Sequence, residues 1–229
     1  ERDGNLFPNR VICGTESFPL DSDIVWDRVE RLPHVIGDFL WTSYDYLGEA
    51  GLGKVVYGET ARTINQRFMS HVSAFPWRVA NCSDFDLCGF ERPQLAYRKI
   101  VWGSGETYIS VRNPAHYRQP EAISRWGWPD GFSHWNWHGY EGKPVEVEVY
   151  SAAARVTLFL NGAKIGESPA GKDHRYKAVF DIVYTPGELV AVSMYADGTE
   201  GSRHTIRTTG VPVGIRLTSD RPAISADGH

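Results

Sequence analysis

Two kinds of hydrophobic pattern run along the chain, and they change over at about residue 120. In the first stretch short apolar runs alternate with helix-like segments. Arg10 to Thr15 (RVICGT) is short, apolar and β-branched at its centre, the pattern of a fully buried strand in a parallel sheet. Ser22 to Leu32 spaces Ile24, Val25 and Val29 on one helical face, with Asp21 or Ser22 as the cap and Pro33 as the stop. His34 to Trp41 (HVIGDFLW) is a second apolar run. Strand, helix and strand within about thirty residues make a βαβ unit with a right-handed crossover. Thr42 to Pro93 shows no clear period; Gly48, Gly51, Gly53 and Gly58 punctuate its early part and Phe75-Pro76-Trp77 its later part. A stretch of this length is either functional or carries small elements of its own. Pro93 then sits in the first turn of a helix over Gln94 to Trp102, with Leu95, Ile100 and Trp102 available for packing.

Beyond residue 120 the period becomes two. Val145, Val147 and Val149 alternate with Glu146, Glu148 and Tyr150. Further alternations run through Val156, Leu158 and Leu160, through Tyr176, Ala178, Phe180 and Ile182, from Leu189 to Tyr195, and more weakly from Arg203 to Thr208. Glu141-Gly142, Asn161-Gly162, Pro186-Gly187 and Asp197-Gly198 mark turns between them. Short, regularly spaced strands with such punctuation predict an antiparallel β-sandwich, and Asn161-Gly162 predicts a tight type I′ hairpin. A fresh strand is expected at Gly214 to Thr218, with Ser225-Ala226-Asp227-Gly228 as a turn, but nothing remains for it to pair with. The fold class is thus α/β followed by all-β, in sections 1–120, 121–210 and 211–229, the last read as cut inside a further domain.

Composition narrows the function classes. The 229 residues include 24 Lys and Arg against 28 Asp and Glu, a formal net charge of −4, which supplies no general field for nucleic acid. No run approaches the eighteen or so apolar residues of a membrane span. Cys13 sits in an apolar run, where a buried free thiol is the simpler reading, and Cys82 and Cys88 lack zinc-site spacing and nearby His partners. Asn81-Cys82-Ser83 fits the glycosylation pattern, a tripeptide common by chance. Eight Trp and 13% aromatic residues suit a sugar-handling surface and a sandwich core equally well.

Position separates those two uses. Glu16 follows the first apolar run, where a parallel barrel strand would emit its side chain into a catalytic face, and Trp41 ends the second run one βα unit later. A carboxylate and an indole so placed could hold a sugar between nucleophile and stacking surface. In His134-Trp135-Asn136-Trp137-His138, strand alternation would put both His with Asn136 on one face and both Trp on the other, a strand packing its indoles rather than a metal site.

The stretches VICGTES (11–17) and PHVIGDFLWTSYDYLGE (33–49), with Trp26 between them, resemble the last two barrel strands of glycoside hydrolase family 2, which includes β-galactosidases and β-glucuronidases. DLCGF (86–90), Pro93 and Tyr97 resemble the run into the barrel's eighth helix. SHWNWHGYEG (133–142) and VTLFLNGAKIG (156–166) resemble the immunoglobulin-like sandwich that follows the barrel, and residues 213–228 the start of a further one. The resemblance implies the end of a TIM (β/α)8 barrel in 1–120, an immunoglobulin-like antiparallel β-sandwich in 121–210, and part of a retaining exo-β-glycosidase.

In that family Glu16 matches the nucleophile, Trp41 an aromatic lining the sugar subsite, and Tyr44 and Asp45 stand on the same loop where they could reach hydroxyls. The family's acid/base is a Glu following Asn, and this sequence has no Asn-Glu pair, so the chain alone is expected to be inactive. Ser17-Phe18-Pro19 offers no nearby His, which departs from the best-known β-galactosidases and leaves their metal and sugar contacts untransferred. No cofactor is implied. The expected partners are a β-galactoside or related oligosaccharide, the remaining barrel portion and a second copy of the protein in a homo-oligomer, with β-glucuronide or β-mannoside as alternative substrates. Family habit points to a periplasmic or secreted setting. The competing reading is a non-catalytic carbohydrate-binding or adhesion sandwich.

Overall fold

The computed structural model describes residues 2–64 and 77–226. After a short helix α1 (Arg2–Leu6), strand β1 (Ile12–Ser17) and strand β2 (Val35–Leu40) pair in parallel around helix α2 (Ser22–Arg31), so the strand–helix–strand unit read from the pattern is present. Its burial is not as expected. Val11, Ile36 and Phe39 are each more than 60% exposed, because no third strand of the described chain flanks the pair. The inner face of α2 also differs. Ile24 is exposed and Val25 and Val29 are half-buried, while the Trp26 ring lies 5.2 Å from that of Trp102, tilted by 41°. The reason is that α2 packs against a second helix instead of a continued sheet.

The unpatterned stretch does carry elements of its own. Strand β3 (Val55–Tyr57) and helix α3 (Gly58–Thr63) lie within it, and helix α4 (Pro93–Val101) follows with Pro93 in its first turn, as the sequence predicts. Tyr97, Ile100 and Val101 of α4 form a buried cluster with Trp128 and Tyr150, onto which Leu20 and Trp26 lean. Of the Phe75-Pro76-Trp77 punctuation, Phe75 and Pro76 lie outside the described residues, as do Asp227 and Gly228 of the expected last turn.

The rest is β-structure. Strands β4 (Thr107–Arg112), β5 (Glu121–Ile123), β6 (Gly131–Phe132), β7 (Pro144–Ser151), β8 (Arg155–Leu160), β9 (Ala163–Pro169), β10 (Lys177–Val183), β11 (Glu188–Met194) and β12 (Glu200–Arg207) follow in order. Two four-stranded antiparallel sheets result, β10-β7-β4-β6 and β12-β11-β8-β9, while β5 pairs with β3. The two large sheets share one core: Ile109, Val111, Val145, Val147 and Val149 meet Val156, Leu158, Leu189, Ala191 and Ile206. Every second residue is apolar because only one face of each strand is inside. Asn161 and Gly162 have φ of 50° and 83°, the left-handed pair that a type I′ hairpin requires.

Three expectations need correction. The sandwich does not begin at residue 121, because β4 belongs to its first sheet; the alternation of Ile109 and Val111 with Ser110 and Arg112 already carried that signal. Residues 134–138 are not a strand. Trp135 is fully buried there, donating from Nε1 to the Thr185 carbonyl at 2.9 Å, and Asn136 accepts from the Thr209 amide at 2.8 Å. The segment therefore runs as an irregular strap across the end of the core, held by partners that are not in a ladder. Finally, Gly214 to Thr218 forms no strand, and Val213, Ile215 and Leu217 are almost fully exposed.

The sheets are also joined through a histidine. His204 on β12 accepts the Ile109 amide at Nδ1 (3.1 Å) and stacks on Tyr108. Burial lowers its pKa against a weaker opposing pull from Glu106, and burial likewise lowers that of His134. A histidine whose folded pKa is depressed stabilises the fold while neutral, and that contribution is lost as the pH falls through the folded value. The melting temperature should therefore hold steady above pH 7 and fall as the pH drops below the ordinary imidazole range. His204→Gln should flatten part of that acid slope in a calorimetric pH series; an unchanged slope would remove His204 from the account.

Candidate functional site

The parallel pairing of β1 and β2 brings Ser17 opposite Leu40, so the two strands end together and Glu16 and Trp41 emerge at the same edge. Glu16 is exposed, and Trp41 retains 40% of its surface. The peptide between Trp41 and Thr42 is cis. Tyr44 is exposed as well, its ring stacked on Phe85 at 4.9 Å.

Asp45 does not share that face. Its side chain is buried, Oδ1 accepting the amides of Tyr46 (3.1 Å) and Asn81 (2.9 Å), while Oδ2 lies 3.7 Å from Arg92 Nη1. The sequence reading that gave it sugar hydroxyls is corrected: Oδ1 is committed to the amides of Tyr46 and Asn81, the latter with a left-handed φ of 61°, and Oδ2 faces Arg92. A cavity of about 1330 Å³ has walls that include Asp45, Arg92, Tyr57 and Trp128 but neither Glu16 nor Trp41.

Two residues that sequence reasoning missed complete the edge. Trp126 donates from Nε1 to Glu16 Oε1 at 2.6 Å, and its ring meets Phe18 edge-on at 5.0 Å with Arg125 stacked over Phe18. Trp41 donates from Nε1 to the Tyr46 hydroxyl at 3.3 Å, and that hydroxyl donates to Glu49. Burial, then the bond to Glu49, raises the Tyr46 pKa far above the ordinary phenol value, so it remains a neutral donor. No local pattern announces Trp126, which lies far along the chain from Glu16 and follows β5.

Trp126 and Tyr46 lean on the same small core of Leu52, Ala80 and Cys82. Burial pushes the Cys82 thiol up to about 12, so it packs as an inert apolar group. Backbone docking fixes this core. Ser124 donates its amide to the Lys54 carbonyl (3.0 Å) and its hydroxyl to the Leu52 carbonyl, continuing the β3–β5 pairing. Gly53 sits so close to the opposite backbone that a Cβ there would lie 2.0 Å from the Asn81 carbonyl oxygen. A buried Arg98–Asp84 pair (3.2 Å) ties α4 to the same layer, where the Asp84 amide bonds the Thr42 carbonyl at 3.0 Å.

Among the described residues no group of three or more His, Cys, Asp or Glu is disposed to hold a metal ion, and no helix is long and apolar enough to cross a membrane. At the strand ends the arrangement has an exposed carboxylate, Glu16, with a fixed hydrogen-bond donor, and the indole of Trp41 at the same edge. That suits attack on, or stabilisation of, an electrophilic carbon in a ring that stacks on Trp41.

Residues 142–201 match a protein family described as a domain of unknown function, DUF4982. The whole chain superposes on a glycosyl hydrolase family 2 member from Bacteroides cellulosilyticus, with 35% identity and a TM-score of 0.80, and covers 28% of that protein. A second such structure from the same species gives 33% identity and a TM-score of 0.73 over 26% of its length. A β-galactosidase of Bacteroides ovatus is 25% identical over 85% of this chain, which corresponds to 18% of that enzyme. The chain therefore spans less than a third of the length of each of these relatives.

The docked layer predicts the effect of one methyl group. Gly53→Ala must push two backbones apart, at a cost of about 1–3 kcal/mol. Denaturant unfolding should show that loss, and hydrogen exchange should show faster exchange of the Ser124 amide. An unaltered midpoint would mean that the two backbones are not in close contact.

Proposed function

We propose that this chain, a C-terminal portion of a glycoside hydrolase family 2 protein, carries the nucleophile half of a retaining β-glycosidase site, with Glu16 as the nucleophile and Trp41 as the sugar platform. The observation that carries the reading is the paired ending of β1 and β2, which sets an exposed carboxylate beside a half-open indole at one edge. In this reading β1, α2, β2 and α4 are the closing strands and helices of a (β/α)8 barrel, and the two-sheet unit is an immunoglobulin-like sandwich braced against it. The exposed apolar residues Val11, Ile36 and Phe39 are then covered by the other barrel strands of the protein.

Glu16 attacks the anomeric carbon and the glycosidic bond breaks, leaving a covalent glycosyl-enzyme that water later releases. Retention requires a second carboxyl group about 5–5.5 Å away, first as acid and then as base. None of Asp38, Asp45, Glu49 and Glu59 matches the family's acid/base in this reading, and Asp45 is moreover buried. The acid/base therefore comes from the rest of the protein. Tyr44 is exposed on the same loop and supplies a further ring or hydroxyl contact to the sugar.

A β-galactoside is the first substrate to test, with β-glucuronide and β-mannoside as the alternatives, and a periplasmic or secreted location accords with the family habit. In the complete enzyme, Glu16→Gln should reduce turnover of the preferred aryl β-glycoside by on the order of a thousandfold or more. Its melting temperature should change by no more than a few degrees. Near-wild-type turnover in that variant would overturn the assignment.

A further inference from the structure

We infer that Trp126 is a positioning residue for Glu16, so that the sandwich side of the molecule sets the orientation of the barrel's nucleophile. This inference rests on the glycosidase reading above and names a residue that the reading does not need. An indole N–H can only donate, and Trp126 Nε1 donates to Glu16 Oε1 at 2.6 Å. That bond occupies one carboxylate oxygen and leaves Oε2 for attack. An exposed glutamate with no partner would turn about its side-chain torsions, whereas a single short bond from a fixed ring selects one arrangement.

The ring is fixed from several sides. Phe18, only two residues beyond Glu16, meets it edge-on, and Arg125 covers the Phe18 face at 4.4 Å. The other side of Trp126 packs on Leu52, Ala80 and Cys82. Its loop is tied at Ser124 to the carbonyls of Leu52 and Lys54, and the Gly127 amide closes back on the Ser124 carbonyl at 2.9 Å. Tyr46, which receives the Trp41 indole N–H, packs on the same three residues. One small core therefore sets both the nucleophile and the platform, and a displacement of the sandwich loop would move them relative to each other.

The test uses the complete enzyme and an aryl β-glycoside of the sugar it prefers. In the step measured, an electron pair on Glu16 Oε2 forms the bond to the anomeric carbon while the carbon–oxygen bond to the aryl group breaks. The leaving aryloxide takes the bonding pair, and no proton is required. Trp126→Phe keeps an aromatic ring and deletes the donor. A tryptophan analogue with sulfur in place of the indole N–H keeps the full ring shape, should the phenylalanine variant not fold. Either change should slow formation of the glycosyl-enzyme, read as the aryloxide burst, by roughly ten- to a hundredfold. The inhibition constant of the free sugar should stay within about twofold and the melting temperature should be unchanged.

A wild-type burst rate would overturn the inference. So would a fall in sugar affinity and melting temperature that matched the fall in rate, because that is what a merely structural residue produces. A fully active Glu16→Gln would instead remove the glycosidase reading, and this inference with it. An inactive Glu16→Gln beside an unimpaired Trp126→Phe would remove this inference alone.

Discussion

Residues 52–54 and 124–127 lie backbone against backbone, and the candidate site depends on that contact. Ser124 closes it with two hydrogen bonds, β3 and β5 extend it as a ladder, and Gly53 permits the close approach to Asn81. Main-chain groups buried in such a layer must be paired, which makes the arrangement specific rather than merely compact. The aromatic residues at its border inherit that specificity. Trp126 and Tyr46 have few ways to pack on Leu52, Ala80 and Cys82, and each has its polar atom facing the exposed edge.

The same joint explains why a chain with a two-stranded parallel sheet holds its strand ends in place. Two paired strands with exposed apolar faces are weak on their own. Here α2 is braced by α4 and by the sandwich: Arg175 donates from Nε and Nη2 to the two oxygens of Asp23, each at 2.7 Å, and the Tyr97 hydroxyl bonds the Arg175 carbonyl at 3.0 Å. The strand ends are thus clamped from α2 below and from the Trp126 loop beside them. Catalytic geometry depends on such support more than on the groups themselves, because a carboxylate misplaced by an ångström has the same chemistry and a much lower rate.

Much of the fold was legible from local pattern. Helices α2 and α4, the pairing partners β1 and β2, the strand alternations from Val145 to Thr208 and the Asn161-Gly162 hairpin all follow from residue spacing and turn chemistry. The failures have physical causes. Strand β9 is a largely exposed edge and shows no apolar alternation, and β4 reads with the preceding section because its partner β7 lies far along the chain. Trp135 is a core residue as its pattern implies, but it lies in no strand, since its partners Thr185 and Thr208 are supplied by distant segments of the chain.

The sequence by itself determined helices α2 and α4, strands β1 and β2 and the strongly alternating strands of the sandwich, and that Glu16 and Trp41 stand at strand ends, because period and turn residues act over a few positions. Tertiary structure alone decided what those side chains touch. It turned Asp45 away from the open edge to hold Asn81, although Asp45 follows exposed Tyr44 directly. It brought Trp126 to Glu16 across most of the first half of the chain. Contacts of that range are selected by which buried surfaces and backbone edges fit together, and no local periodicity encodes that fit.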